Sequence, residues 1–262
     1  MKLFQFAFFS VTFAQRKSPR PIDISPSDNN AQKSYAEYPP DEQAVVYGDP
    51  HFMVTGETGE RICFDFNPEL GSNINLLSDP KSNLHVSGII SDETIKGKTF
   101  IHEIQFMSPE GGNLRFNPDG VFVKSFSLKE TMQYDYKEPI RFMDILFTEH
   151  RNSDGTREKI TVEIDDGPKF LIKAKQSRGS MSFGIEDTTG LSDKTKGILG
   201  SFIHEGAFHV LNLHTKGENG EETAVVISQE LEFSATKHDF HRNHNCWTIP
   251  EEEIAVLFAK EI

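Results

Sequence analysis

The stretch that decides the fold class is LRFNPDGVFV, residues 114–123 of a sequence of 262 residues. Two short runs rich in apolar residues, 114–116 and 121–123, flank the sequence Asn117-Pro118-Asp119-Gly120. Asparagine, proline, aspartate and glycine in this order are typical of a tight turn between paired strands. The stretch therefore predicts an antiparallel hairpin.

The same signal recurs along the sequence. Asp154-Gly155 separates 140–147 from 160–164, Asp166-Gly167-Pro168 separates that run from 170–172, and Asn219-Gly220 marks a fourth turn. The spacing of further side chains follows the two-residue period of a strand, as in Phe100, His102, Ile104 and Phe106. No alternation of strands with helices is visible. These patterns predict a mainly β fold, an antiparallel β-sandwich or barrel-like domain.

One helix is predicted, over 250–262. Pro250 suits a first helical turn, and the acidic residues 251–253 suit its positive end. Four apolar residues of this segment fall on one helix face: Ile254, Leu257, Phe258 and Ile262. We expect the helix to pack against the sheet, with a partner-binding tail as the alternative.

The N-terminus has the pattern of an export signal. Lys2 precedes an apolar run rich in phenylalanine, and Thr12-Phe13-Ala14 places small residues at a cleavage position. Residues 1–14 are predicted as a signal peptide, with a buried strand as the alternative. Residues 15–44, polar and rich in proline, are predicted as a flexible lead-in, and 45–249 as the β domain. The protein is therefore expected to be secreted.

Composition narrows the range of partners. The formal net charge of -13 opposes electrostatic binding to nucleic acid, anionic membranes or sulfated polysaccharides. No run after the N-terminal segment is long enough for a membrane helix. Twenty-two phenylalanines beside one tryptophan predict a core built from large rings.

Cys63 and Cys246 are the two cysteines of the sequence. In the oxidising compartment that a signal peptide implies, such a pair is expected to form one disulfide. The bridge would join the beginning of the β domain to its end. The entropy lost by the unfolded polypeptide on closing so long a loop corresponds to about 4 to 5 kcal/mol of stabilisation.

Gly48-Asp49-Pro50-His51 is the most chemically loaded tetrapeptide of the sequence, because an aspartate can break its own bond to a following proline. The carboxyl group of Asp49 can attack the carbonyl carbon of its own residue and close a five-membered anhydride, releasing the nitrogen of Pro50. His51 stands next to the bond as a proton donor to that nitrogen. We therefore predict self-scission at Asp49-Pro50, with Asp49 and His51 as its catalytic residues. The alternative is a plain turn before a strand.

Histidines form a second cluster, at His238, His241 and His244. Zinc accepts such ligands, but neither a strand nor a helix brings these three onto one face. They are interpreted as solvated surface residues and remain weak metal candidates, and no cofactor is predicted. No phosphate loop, nucleophile elbow or His-Glu-x-x-His helix is present.

Four motifs in order carry a family resemblance. Gly48-Asp49-Pro50-His51-Phe52 is followed by Ile62-Cys63-Phe64-Asp65, then by Lys196-Gly197-Ile198-Leu199-Gly200-Ser201-Phe202, and Cys246-Trp247 closes the series. In this order and spacing, about 45 to 250 resembles the C-terminal domain of inter-alpha-trypsin inhibitor heavy chains. That domain is related to von Willebrand factor type D modules.

The resemblance implies a role for Asp49. In heavy chains the corresponding Asp-Pro bond is cleaved, and the aspartate becomes ester-linked to chondroitin sulfate and later to hyaluronan. The family's large N-terminal domains are missing upstream of Asp49, so a transfer here would attach only the lead-in. The calcium-binding run of type D modules is not expected after Phe202.

Three functions follow as hypotheses. The first is a secreted, non-enzymatic extracellular module, associated with hyaluronan-rich matrix, chondroitin sulfate or a protease-inhibitor complex through an extracellular protein. The second is a self-processing protein that cleaves Asp49-Pro50, with possible ester transfer to a glycosaminoglycan. The third is a structural or assembly module similar to type D modules, or a metal-dependent binder, that keeps the fold alone.

Overall fold

A computed structural model gives the fold of the protein. It describes residues 43–48, 50–56, 58–93, 98–125, 132–134, 139–154, 157–175, 179–204, 206–216, 221–228, 231–240 and 244–258. The described residues form eighteen β-strands, one short 3-10 helix and one α-helix. The prediction of a mainly β fold with a short C-terminal helix is confirmed.

The strands are β1 (Ala44–Tyr47), β2 (His51–Thr55), β3 (Arg61–Asp65), β4 (Asn73–Asp79), β5 (Leu84–Glu93), β6 (Lys98–Met107), β7 (Gly112–Asn117), β8 (Gly120–Ser125), β9 (Met132–Tyr134), β10 (Ile140–Phe142), β11 (Ile145–Arg151), β12 (Arg157–Ile164), β13 (Lys169–Lys175), β14 (Ser180–Asp187), β15 (Phe208–Lys216), β16 (Glu222–Ser228), β17 (Leu231–Phe240) and β18 (His244–Thr248). The 3-10 helix is Gly200–Phe202, and α1 is Glu251–Phe258.

The strands form two sheets. The larger has twelve strands in the order β10-β11-β12-β13-β14-β1-β2-β3-β18-β17-β16-β15, and the smaller runs from β4 to β9 in sequence order. Both sheets have open ends in this order, so the architecture is a sandwich and not a closed barrel. Neighbouring strands are antiparallel except at one place, where β18 runs parallel to β3 through the pairs Trp247↔Ile62 and Thr248↔Cys63.

The hairpin predicted over 114–123 is confirmed. Asn117 pairs with Gly120 at the ends of β7 and β8. The side-chain oxygen of Asn117 accepts the backbone N–H of Asp119 at 2.9 Å and that of Gly120 at 3.1 Å. Asparagine therefore closes this turn with its own side chain, which is why the residue type marks the turn so clearly.

Phenylalanine rings join the two sheets. Phe106 of β6 contacts Phe170 of β13 at 5.4 Å and Phe183 of β14 at 6.1 Å between ring centroids. Phe116 of β7 meets Phe147 of β11 edge-on at 5.8 Å. All five rings are at most 1% exposed. The predicted core of large rings is confirmed, and the hydrophobic effect of burying these rings holds the sheets face to face.

A second group of rings holds α1 on the larger sheet. Phe258 is fully buried and lies 5.9 Å from Phe64, 6.0 Å from Phe66 and 6.1 Å from Phe202 between ring centroids. The helix therefore packs against the sheet as expected, and the interpretation as a partner-binding tail is wrong. Among the described residues, no helix has the length and apolarity needed to span a bilayer.

The acidic residues at the start of α1 do more than interact favourably with the positive end of the helix dipole. The carboxylate of Glu251 accepts the backbone N–H of Asn67 at 2.8 Å, and that of Glu253 accepts the backbone N–H of Ser234 at 2.6 Å. These bonds tie the helix to the segment after β3 and to β17. The sequence predicted only the electrostatic role of these residues, because their partners are distant along the polypeptide.

Two strand predictions need correction. The run 140–147 is not one strand, because Met143 adopts a φ of 55° and turns the backbone between β10 and β11. In β6 the register shifts opposite Ile89 and Ile90, so Ile101 is buried while His102 is exposed. A β-bulge of this kind breaks the two-residue period that placed His102 in line with its neighbours.

Candidate processing site

The Gly48-Asp49-Pro50 sequence forms the connection between β1 and β2. Tyr47 and His51 are directly paired across this hairpin, so three residues make the turn between them. Gly48 has a φ of 61°. Glycine adopts this left-handed conformation without the steric penalty that a Cβ atom brings, which accounts for the residue at this position.

Of the two residues that form the predicted scissile bond, the structure describes only Pro50. Asp49, the predicted nucleophile, lies outside the described residues. Pro50 is buried, and its carbonyl oxygen accepts the backbone N–H of Phe66 at 3.3 Å. The proline side of the bond is therefore held against the segment that follows β3.

His51 is oriented by a carboxylate from the next strand. Its Nδ1 lies 2.6 Å from Oδ1 of Asp65, the residue paired with it between β2 and β3. Since a carboxylate accepts hydrogen bonds, the ring donates its Nδ1–H here. The opposite ring edge faces the turn, because a Cβ atom built on Gly48 would lie 3.4 Å from Cδ2 and 3.9 Å from Nε2 of His51.

Tyr47 completes a row of three polar side chains across β1, β2 and β3. Its ring meets the imidazole of His51 edge-on, with 5.6 Å between centroids. Burial, and then the negative charge of Asp65, raises the pKa of Tyr47 to about 12. The phenol therefore stays protonated at physiological pH, and the ring restrains His51 from the side of β1.

The disulfide lies beside this row on the same face of the sheet. Cys63 and Cys246 are bonded, with 5.8 Å between their Cα atoms, which confirms the predicted pairing. Both are fully buried in a small cluster with Val45 and Met53, and Tyr47 packs against it. Because side chains two residues apart on a strand share a face, the cluster supports the polar row along all three strands.

A second Asp-Pro bond, Asp79-Pro80, lies in a very different environment. Asp79 is 1% exposed. Its Oδ1 accepts the backbone N–H and the hydroxyl of Ser192 and the hydroxyl of Thr195, and its Oδ2 accepts the backbone N–H of Ser82 at 2.8 Å. Both carboxylate oxygens accept hydrogen bonds, which engage the lone pairs that an attack on the carbonyl carbon of Asp79 would use.

The same hydrogen bonds set the charge state of Asp79. Burial alone raises the pKa of a carboxyl group, but the bonds from Ser192 and Ser82 outweigh it and hold the pKa of Asp79 well below its usual range. Asp79 is therefore an ionised anchor that joins the end of β4 to the loop at Ser192–Thr195. This role was missed from sequence, because Ser192 and Thr195 lie more than 100 residues away from Asp79.

The late motif 196–202 packs on β4. The backbone N–H groups of Ile198 and Leu199 donate to the carbonyls of Asn75 at 2.9 Å and Leu76 at 3.0 Å. Gly197 has a φ of 102°, and a Cβ atom there would lie 2.8 Å from backbone atoms of Leu76. The glycine of this motif is therefore required by close backbone contact.

The predicted metal candidates are not brought into a described site. His241 and the side chains of His238 and His244 lie outside the described residues. Within the described part of the protein, no group of three or more His, Cys, Asp or Glu side chains is placed to hold a metal ion.

Asp65 and Tyr47 are the site residues that sequence reasoning missed. Asp65 belongs to a motif that was singled out only for the family resemblance, and Tyr47 belongs to no motif singled out from the sequence. The available signal was distance from each turn. Tyr47 and His51 flank the β1–β2 turn, and Asp65 lies as far after the β2–β3 turn as His51 lies before it, so the three face one another across three strands.

Comparison with known proteins identifies the family of the chain. Residues 81–251 match the model of a family described as the C-terminus of the inter-alpha-trypsin inhibitor heavy chain. Inter-alpha-trypsin inhibitor heavy chain H1 of Bos taurus is 24% identical over 76% of this sequence, and heavy chain H3 of Bos taurus is 22% identical over 90%. Heavy chain H2 of Sus scrofa is 25% identical over 66% of it.

The protein spans only part of these relatives, 23% of the bovine H1, 29% of the bovine H3 and 20% of the porcine H2 protein. The family model begins after the Gly48–His51 segment.

Proposed function

Because the protein belongs to the family described as the C-terminus of the inter-alpha-trypsin inhibitor heavy chain, we propose that it is a secreted, non-enzymatic extracellular module. Its proposed partners are extracellular proteins of protease-inhibitor complexes and hyaluronan-rich matrix. The observation that carries this proposal is the family match over 81–251. The relatives are named as heavy chains of an inhibitor, which supports a binding or structural role.

The disulfide supports an extracellular location. Cys63 and Cys246 form a bond between residues 183 positions apart. Such bonds persist in oxidising compartments and are rare in the cytosol. The N-terminal segment 1–14, with its signal-like pattern, provides the route of export in this proposal.

Secretion is tested by expressing the full sequence in cultured secretory cells. We expect the protein in the medium, with a new N-terminus at Gln15, and a variant without residues 2–14 is expected to stay inside the cells. The secreted protein is then treated with hyaluronidase or chondroitinase and its mass measured. Retention of the full-length protein within cells would contradict the proposal, and a mass that neither enzyme changes would count against a covalent matrix link.

A second function is proposed for the β1–β2 turn, which is self-scission of Asp49-Pro50. The observation that favours it is the orientation of His51, whose Nδ1 is bound to Asp65 and whose Nε2 edge faces the turn. A histidine held in this way directs its second ring nitrogen toward Gly48, one residue before Asp49. General acid help of this kind contributes about 10²-fold or more to a rate.

The proposed reaction has two steps. The carboxylate of Asp49 attacks the carbonyl carbon of its own residue, the C–N bond to Pro50 breaks, and the proline nitrogen takes a proton from His51. Water or a sugar hydroxyl then opens the anhydride, and its proton passes to the carboxylate that is released. Water leaves a free aspartate, and a hydroxyl leaves an ester at Asp49.

Scission is tested by holding the purified protein at about pH 5 and at neutral pH and sequencing the N-termini formed. We expect a new terminus at Pro50 in the wild-type protein and none in Asp49→Asn, since an amide does not form the anhydride. Asp79-Pro80 is the matched control within the same molecule, and we expect it to stay intact. Equal cleavage at both bonds would show ordinary acid lability, and an intact protein at both pH values would contradict self-scission.

A further inference from the structure

The geometry points to Asp65 as the positioning residue of the site, which holds His51 in the tautomer and orientation that present Nε2 to the Gly48-Asp49-Pro50 turn. This inference rests on the proposed scission at Asp49-Pro50. It assigns a role to a side chain that does not belong to the turn and that reaches the reacting atoms only through His51.

The hydrogen bond between His51 and Asp65 decides which ring nitrogen is engaged. The distance of 2.6 Å between Nδ1 and Oδ1 is short, as expected for a bond to a charged acceptor. With Nδ1–H committed to Asp65, the neutral ring carries its lone pair on Nε2. That nitrogen can then take up and release the proton that the proline nitrogen needs.

The surroundings of the imidazole fix its plane as well as its tautomer. The side chain of His51 is only 14% exposed. Tyr47 packs against one side of the ring, and Gly48 approaches the other edge so closely that a Cβ atom there would be in contact with Cδ2. A ring flip would place Cδ2 against Asp65 and Nδ1 against Gly48, and the loss of the Nδ1–H bond to Asp65 Oδ1 selects against it.

The disulfide cluster extends this positioning into the fold. Cys63 lies two residues before Asp65 on β3, and Met53 lies two residues after His51 on β2. Both are buried in the cluster that contains the bond to Cys246. The backbone that carries Asp65 is therefore anchored directly beside the carboxylate.

In the first chemical step the protonated His51 ring gives the proton on Nε2 to the nitrogen of Pro50 as the C–N bond breaks. The ring keeps the proton on Nδ1, and Asp65 remains an ionised acceptor throughout. No proton passes to Asp65. Its contribution is the orientation of the donor, which is why it is a positioning residue and not a catalytic one.

The experiment compares wild-type protein, Asp65→Asn and a matched control, Asp119→Asn, which removes the same charge from an exposed turn. The first readout is the nitrogen NMR spectrum of the His51 ring in buffer at about pH 9. We expect the Nδ1–H tautomer in wild-type and control protein, and conversion toward the ordinary Nε2–H tautomer in Asp65→Asn. The second readout is the rate at which the Pro50 terminus appears, expected to fall about tenfold or more in Asp65→Asn.

The two readouts separate the positioning role from the scission itself. An Nε2–H tautomer in the wild-type protein, or scission at the wild-type rate in Asp65→Asn, would overturn the positioning role and leave the scission standing. A wild-type protein that keeps the Nδ1–H tautomer but yields no Pro50 terminus would overturn the scission and uphold the orientation. The tautomer is measured on wild-type protein, so it is decisive even where Asp65→Asn folds poorly.

Discussion

Opening the Cys63–Cys246 disulfide is expected to lower the free energy of unfolding by about 5 kcal/mol. The bond joins residues 183 positions apart, and the entropy that such a closure removes from the unfolded polypeptide grows with loop length. For a domain of this size, the loss corresponds to a decrease in Tm of about 10 to 20 °C.

The loss is expected to begin in the β15–β18 part of the larger sheet. In the strand order, β18 joins β15, β16 and β17 to β3, and two residue pairs make that parallel contact. Hydrogen exchange of β15–β18 is therefore expected to accelerate more than that of β11–β14 when the bond is reduced.

The measurement is thermal unfolding of the wild-type protein with and without reductant, beside the double variant Cys63→Ala and Cys246→Ala. Reduced wild-type protein keeps both sulfur atoms in the core, so it separates the loss of the bond from the loss of volume. The double variant is the control for the reductant, which should leave its Tm unchanged. A reduced wild-type protein that unfolds within about 2 °C of the oxidised one would show that the bond adds little.

Replacing Asp79 by asparagine is expected to destabilise the fold by about 3 kcal/mol at neutral pH. An amide cannot accept all the bonds that Ser82, Ser192 and Thr195 donate, and hydrogen bonds to a charged group contribute about 1.5 to 3 kcal/mol each. The matched control is Asp193→Asn, an exposed carboxyl in the same loop, which is expected to unfold like the wild-type protein.

The effect of Asp79 depends on pH in a definite direction. Its pKa in the folded protein lies below the unfolded value, which is about 3.9. The stabilisation is therefore fully present above the unfolded pKa and is lost as pH falls through the folded pKa. In denaturant titrations we expect a constant difference between wild type and Asp79→Asn above about pH 5, narrowing at more acid pH. A difference that widened toward acid pH would contradict the assignment of Asp79 as an ionised anchor.

Local signals predicted much of the fold. Asn117 closes its turn with its own side chain, and the turn at Asp166-Gly167-Pro168 connects β12 to β13 as expected. The helix and the disulfide also follow from residue types close in sequence or from the cysteine count. The turn at Met143 was missed because methionine is not a turn residue, and the bulge at His102 because bulges leave no periodic signal.

The candidate site was only half predictable. The turn that carries Asp49 and Pro50, with His51 beside it, was visible because four adjacent residues hold the relevant chemistry. Asp65 was not, since its meeting with His51 depends on the register of β2 and β3 and not on any local pattern. The anchoring role of Asp79 was missed because its contact with Ser192 also depends on the tertiary structure, although the Asp79-Pro80 bond itself is evident in the sequence.

By itself, the sequence determined that this is a β protein with one disulfide and one terminal helix, and it predicted a reactive Asp-Pro bond at a turn, because turn propensity, hydrophobic period and covalent reactivity are local properties. Only the tertiary structure decided that His51 faces Asp65 from 14 residues away, while Asp79 is locked by Ser192 from 113 residues away. Strand register and sheet packing bring these residues into contact, and both arise from the burial of the whole core. Two Asp-Pro bonds that are alike in sequence therefore differ in the folded protein. Asp49-Pro50 is followed by an oriented histidine, whereas the carboxylate of Asp79 in Asp79-Pro80 accepts hydrogen bonds at both oxygens.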